Sequence, residues 1–252
     1  MRKKSLPFYT FILTFLFLQN LSAQNKFSWN NETSNLQVLP DSITPQQLKN
    51  TMMMFTAGLG VRCNYCHDDS KGNTLNEINF ASDLKETKLV AREMYKMLQS
   101  INNDHLAGIQ EITGNKGFAG CVTCHHGIPK PKHLSQVIEE EIVNKGIESA
   151  VKKYYDLKEQ FYGSASYDFT EGQLNFLGYK YLHNGDNKIA LELFKLNAET
   201  NGKSANAWDS LAEAYLKNGD SEKAIEYYKK SLELNPKNKN AKKMLEEISM
   251  GK

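Results

Sequence analysis

The chain has 252 residues, 40% of them hydrophobic and 24% charged, with a formal net charge of +2. This composition excludes wholesale disorder, a collagen repeat and a disulfide-dense miniprotein. Three of the basic residues, Arg2, Lys3 and Lys4, fall at the N-terminus, so the body of the chain is close to neutral and carries no electrostatic footprint for nucleic acid.

Those three charges precede an apolar run from Phe8 to Leu18, broken by Thr10 and Thr14, and Leu21-Ser22-Ala23 then places a small residue before Gln24. The charged, apolar, small-residue order is that of an export signal. Its apolar core is shorter than the roughly 20 residues that span a bilayer. The expectation is a signal peptide over 1–23, cleaved near Ala23, and a periplasmic mature protein. No Cys stands near the cut, so no lipid anchor is expected there. Residues 24–37 read as a polar, Asn-rich linker.

Thr44-Pro45-Gln46-Gln47 predicts a helix start: Thr44 as N-cap, Pro45 at the first helical position, Gln47 closing a capping box. Leu48, Met52, Phe55 and Leu59 then recur on one face, with Met53 and Met54 elsewhere on the wheel, and Gly58 and Gly60 end the helix just before Cys63. A second helix is expected near Asp83-Leu84-Lys85-Glu86, another capping-box pattern, with an apolar face of Leu84, Val90, Met94, Met97, Leu98 and Ile101.

The four cysteines carry the most information. They occur as Cys63-Asn64-Tyr65-Cys66-His67 and Cys121-Val122-Thr123-Cys124-His125, each a C-x-x-C-H, the attachment signature of c-type haem. Two Cys three apart set both sulfurs on one side of a helical turn, where they can add to the two vinyl groups of a porphyrin, and the following His offers an imidazole nitrogen to the iron. A zinc ribbon, or a pair of disulfides or redox dithiols, would leave the His after each pair unexplained. Two covalently bound haem c groups are therefore expected, with His67 and His125 as proximal ligands. The first stripe faces a haem in need of a sixth ligand, which favours Met52. On the second helix Met94 and Met97 lie one turn apart, and His105 follows, so spacing leaves all three open.

Residues 38–131 resemble the cytochrome subunit of photosynthetic reaction centres. The resemblance rests on Met52-x-x-Phe55-Thr56-x-x-Leu59-Gly60-Val61-Arg62-Cys63-x-Tyr65-Cys66-His67, on Ala91-Arg92-x-Met94-x-x-Met97-x-x-x-Ile101-Asn102, and on Cys121-x-Thr123-Cys124-His125-x-Gly127. It implies that a Met on the helix preceding each motif is the distal ligand: Met52 for the first haem and Met94 for the second, with Met97 packing. The chain departs from the family in having Cys for two haems where the best-known members carry four. It also lacks a lipidated N-terminal Cys, has an expanded segment between Asn102 and Cys121, and has His126 where the family tends to have Arg.

The C-terminal third aligns with itself at a shift of 34 residues: Leu177 on Leu211, Gly178 on Ala212, Tyr181 on Tyr215, Ala190 on Ala224, Phe194 on Tyr228. Period and pattern resemble the tetratricopeptide repeat. Two units are expected, 171–204 and 205–238, with a capping helix from Ala241 to Ile248 and a helix from Gly146 to Phe161 supplying an N-terminal layer. The Lys-rich end reads as a solvated face.

The expected organisation is all-α: a di-haem cytochrome domain over 38–133, ended by Pro129 and Pro131, a connecting segment over 134–170, and the repeats over 171–252. Two His/Met irons are coordinatively saturated, which suits an electron carrier working with a redox partner protein, membrane-bound or soluble, without catalysis of its own. The alternatives are a di-haem peroxidase, which needs an open distal position and acid–base groups, and a haem sensor of redox state or gas whose repeats bind a protein partner.

Overall fold

The computed structural model describes residues 34–115 and 117–251. The expected signal peptide and most of the linker lie outside them. The described residues form helices joined by loops, without a strand; one bridge pairs Asp68 with Asn79.

Helix α1 spans Pro45–Leu59 and starts as its sequence dictates. The Gln47 N–H donates to Thr44 Oγ1 (3.3 Å) while the Thr44 N–H donates to Gln47 Oε1 (2.9 Å), so two orphan donors are satisfied reciprocally. Gly60, at φ 65°, caps its C-terminus in the left-handed region. A single 3-10 turn, Cys63–Tyr65, carries the first motif, and a loop leads to α2, Glu86–Ser100. The capping box expected of Asp83 and Glu86 does not form, and the N-cap, Lys85, makes no side-chain cap bond. Asp83 instead pairs with Lys88 (3.0 Å) and Arg92 (2.8 Å), because two buried cations need a carboxylate more than a helix end needs a cap. Leu84, expected on the apolar face, is exposed.

From α2 the chain passes through a π-helical turn, Ile101–His105, into α3, Leu106–Thr113, where the sequence suggested only an expanded segment. The second motif is itself a short helix, α4, Cys121–His125. Residues 127–133 are non-helical, as the two prolines require.

Seven helices follow: α5 (Leu134–Lys145), α6 (Ile147–Phe161), α7 (Glu171–His183), α8 (Asn187–Thr200), α9 (Ala205–Lys217), α10 (Ser221–Leu234) and α11 (Lys239–Ser249). The repeats and their cap are α7/α8, α9/α10 and α11. The 134–170 segment holds two helices rather than one, turned about Gly146 at φ 87°. Small residues let the pairs approach: a side chain at Gly178 would put its Cβ 2.6 Å from the Phe194 ring, and Ala190, Ala212 and Ala224 are fully buried.

One continuous core runs through α5–α11, from Leu134 to Ala241. Among the described residues before Leu134, only Ile78 and Ile128 are buried apolar side chains. The N-terminal region is thus held by bonds to the backbone and by ion pairs around an apolar cavity.

Candidate haem-binding sites

The first motif opens onto a cavity of about 290 Å³. The α1 stripe forms one wall, with Leu48, Met52, Phe55 and Leu59 all lining it; Cys63, Cys66 and His67 form another, and Leu36, Val38 and Leu39 close the side. His67 Nδ1 lies 3.2 Å from the Phe80 carbonyl, and the Phe80 ring meets the imidazole edge-on at 4.9 Å. A carbonyl only accepts, so Nδ1 carries the proton and Nε2 keeps its lone pair. Burial, and next the Lys88 charge, lower the His67 pKa to about 4, which keeps the ring neutral at neutral pH. Burial likewise raises the Cys66 and Cys121 thiols. None of the four cysteines is paired in a disulfide.

The first turn of α2 grips this motif from outside. Lys85 Nζ donates to the Asn64 carbonyl and pairs with Asp69 (2.7 Å), and Thr87 Oγ1 donates to the Tyr65 carbonyl (2.5 Å). Lys88 Nζ donates to the carbonyls of Phe80 (2.9 Å), Ala81 (3.2 Å) and Ser82 (2.8 Å). Arg92 ties in the strap over the cavity through the Asn35 carbonyl (3.1 Å), and Asn35 Nδ2 reaches the Ala81 carbonyl (2.6 Å). Arg92 and its neighbours Asn35 and Lys88 hold the Asp83 carboxyl well below the usual carboxylate range.

At the second motif His125 Nδ1 lies 3.0 Å from the Ile128 carbonyl, so its Nε2 is likewise bare. The π turn that follows α2 braces this motif: Asn102 Nδ2 donates to Ala119 O and its Oδ1 accepts from Ala119 N–H, both at 2.9 Å. The π turn sets Asn102 in place, and such turns gather at functional sites. α4 also packs on α1. A Cβ at Gly58 would lie 2.7 Å from Cys121 Cβ, and one at Gly60 2.0 Å from the Gly127 carbonyl oxygen. Gly58 is therefore a contact point inside α1 rather than part of its stop signal, and the two motifs share this helix. Ser166, ahead of α7, donates to the His126 carbonyl (2.7 Å).

The candidate distal ligands differ in setting. Met52 shares its cavity with Cys63, Cys66 and His67. Met94 and Met97 are 39% and 48% exposed, and Val90, Ile109 and Phe118 are exposed as well. His105 is exposed within the π turn. The donor set of the first site, two thiols, a neutral imidazole with a bare Nε2 and a thioether in one apolar slot, fits haem c. The second set has the same thiols and imidazole, Cys121, Cys124 and His125, and its candidate thioethers, Met94 and Met97, are exposed.

Several positioning residues escape sequence reading. Asp83 reads only as part of a capping-box pattern, Lys88 carries no reading, and Arg92 and Asn102 stand inside the stretches that carry the family resemblance without a role of their own.

Residues 18–190 match the family model for the photosynthetic reaction centre cytochrome C subunit, and residues 205–238 match the tetratricopeptide repeat. Cytochrome c-554 of Chloroflexus aurantiacus is 34% identical over 38% of this chain and 21% of its own length. The photosynthetic reaction center cytochrome c subunit of Thermochromatium tepidum is 36% identical over 39% of this chain and 22% of its own. That of Rubrivivax gelatinosus is 29% identical over 35% and 25%. The matched stretch spans about a fifth to a quarter of these relatives. With the family model covering well over half of the chain, this protein belongs to the photosynthetic reaction centre cytochrome c subunit family and carries a tetratricopeptide repeat near its C-terminal end.

Proposed function

We propose that this protein is an exported, periplasmic di-haem c-type cytochrome that carries electrons between redox partners and is not itself an enzyme. The observation that carries this reading is the cavity in which Met52 faces Cys63, Cys66 and His67. Bound haem would supply a one-electron iron couple.

The chain's own residues do the rest. Cys63 and Cys66, and Cys121 and Cys124, would hold each group covalently. His67 and His125, with Nδ1 committed to the Phe80 and Ile128 carbonyls, present Nε2 in a set orientation. Met52 and Met94 would supply a thioether to each group, and a Met ligand favours a high potential. Leu48, Phe55 and Leu59 line the first site with apolar surface. The short shared helix brings the two motifs close, which suits passage of an electron from one site to the other. The tetratricopeptide repeats, which share one core with α5 and α6, would dock a protein partner.

Visible and near-infrared spectra of the purified protein in both redox states test this. Two low-spin haems with a Met-to-iron charge-transfer band, and slow CO binding to the reduced protein, are expected. A high-spin haem that takes up CO at once would instead favour a peroxidase or a gas sensor.

A further inference from the structure

His67 and His125 are held alike except in one respect. At the second site the Ile128 carbonyl receives His125 Nδ1 at 3.0 Å, and no side-chain cation bonds that carbonyl among the described residues. At the first, the Phe80 carbonyl receives both His67 Nδ1 (3.2 Å) and Lys88 Nζ (2.9 Å). Lys88 is only 9% exposed and Arg92 8%. Asp83 is the carboxylate that faces both, so the cluster keeps a net positive charge beside the imidazole. Both cations also line the first cavity.

Two effects follow, with the same sign. A carbonyl that already accepts from an ammonium accepts less strongly from the imidazole N–H, so His67 gives less electron density through Nε2. A positive charge in a partly dry site also favours the reduced form of a nearby iron. We propose that Lys88 is a positioning residue that makes the first haem site the higher-potential of the two, the place where a single electron comes to rest. This rests on the two-haem reading above.

A spectroelectrochemical titration of the full-length, haem-loaded protein resolves the two midpoints. Lys88→Met is expected to lower the higher midpoint, changing the electron partition between the haems about tenfold, or about 59 mV for a one-electron couple, and to leave the lower midpoint in place. Lys88→Arg, which keeps the charge, is expected to restore it. Should Lys88→Met fail to hold its haem, Lys88→Gln, which can still donate to a carbonyl, is expected to move the same midpoint in the same direction. Midpoints unmoved in both variants, or moved equally at both haems, would overturn the role of Lys88. Haem content is measured first. A wild-type protein without two covalent haems would defeat the two-haem reading itself, whereas two intact haems with unmoved midpoints would defeat only this inference.

Discussion

Each motif histidine gives Nδ1 to a backbone carbonyl, and the residues that matter next are those which could complete the iron and those which hold the carbonyls still. Met52→Leu keeps side-chain volume nearly constant while removing the sulfur. It should abolish the Met-to-iron charge-transfer band of one haem and lower that haem's potential, and Met94→Leu should do the same for the other. If Met97→Leu or His105→Ala does so instead, the second assignment falls while the first stands. Asp83 makes a different prediction. Its carboxyl titrates below the usual range because Arg92, Asn35 and Lys88 bond its charged form. The unfolded chain therefore takes up this proton at a higher pH than the folded protein does, so the stability Asp83 contributes is complete above the ordinary carboxylate range, declines as pH drops below it, and is gone only once pH passes the lowered value of the folded protein. Asp83→Asn should lower the thermal midpoint at neutral pH and flatten its fall below about pH 4; an unchanged acid profile would count against the cluster. The thioether was legible in the sequence because Leu48, Met52, Phe55 and Leu59 obey one local period. The cluster was not, because it joins Asn35, residues 80–83 and α2, which only folding brings together.

Elements follow the same division. α1 was readable to its caps, since Thr44, Pro45, Gln47 and Gly60 each act through neighbours a turn away. α5 carries a signal of the same kind, since Leu134, Ile138 and Ile142, all buried, recur every fourth residue, yet the expected organisation places only one helix in this segment, over α6. The π turn and α3 carry exposed Ile109 and Ile112, an apolar pattern without a protein core to explain it. The junction of α1 with α4 rests on glycine. Gly60 sits at φ 65°, and its missing side chain makes room for the Gly127 carbonyl. Gly60→Ala should cost at least about 1–2 kcal/mol for the left-handed backbone alone, with further loss from the clash, and should be read as a lower thermal midpoint and reduced haem per chain. Gly108→Ala, in α3 with open space around it, is the control and should be neutral or slightly stabilising.

Across the whole molecule, two kinds of cohesion meet. The helices from Leu134 onward share a core to which no described residue before Leu134 contributes, whereas the described N-terminal region has two buried apolar side chains and two candidate cofactor sites. A chain ending near Pro131 should therefore still carry both haems with nearly unchanged spectra, the second held less firmly because the Ser166 bond to the His126 carbonyl is gone. Its exchange with a small soluble reductant should be unaffected, and exchange with a native partner should slow if the repeats dock it. Loss of a haem from this shorter chain would show that the repeats shelter an iron. The account turns above all on two covalent haems, and the mass of the intact purified chain after acid–acetone extraction tests that directly. The expected result is the mature chain plus two haems that the solvent does not remove; haem released into the solvent, or a mass carrying only one, would contradict it.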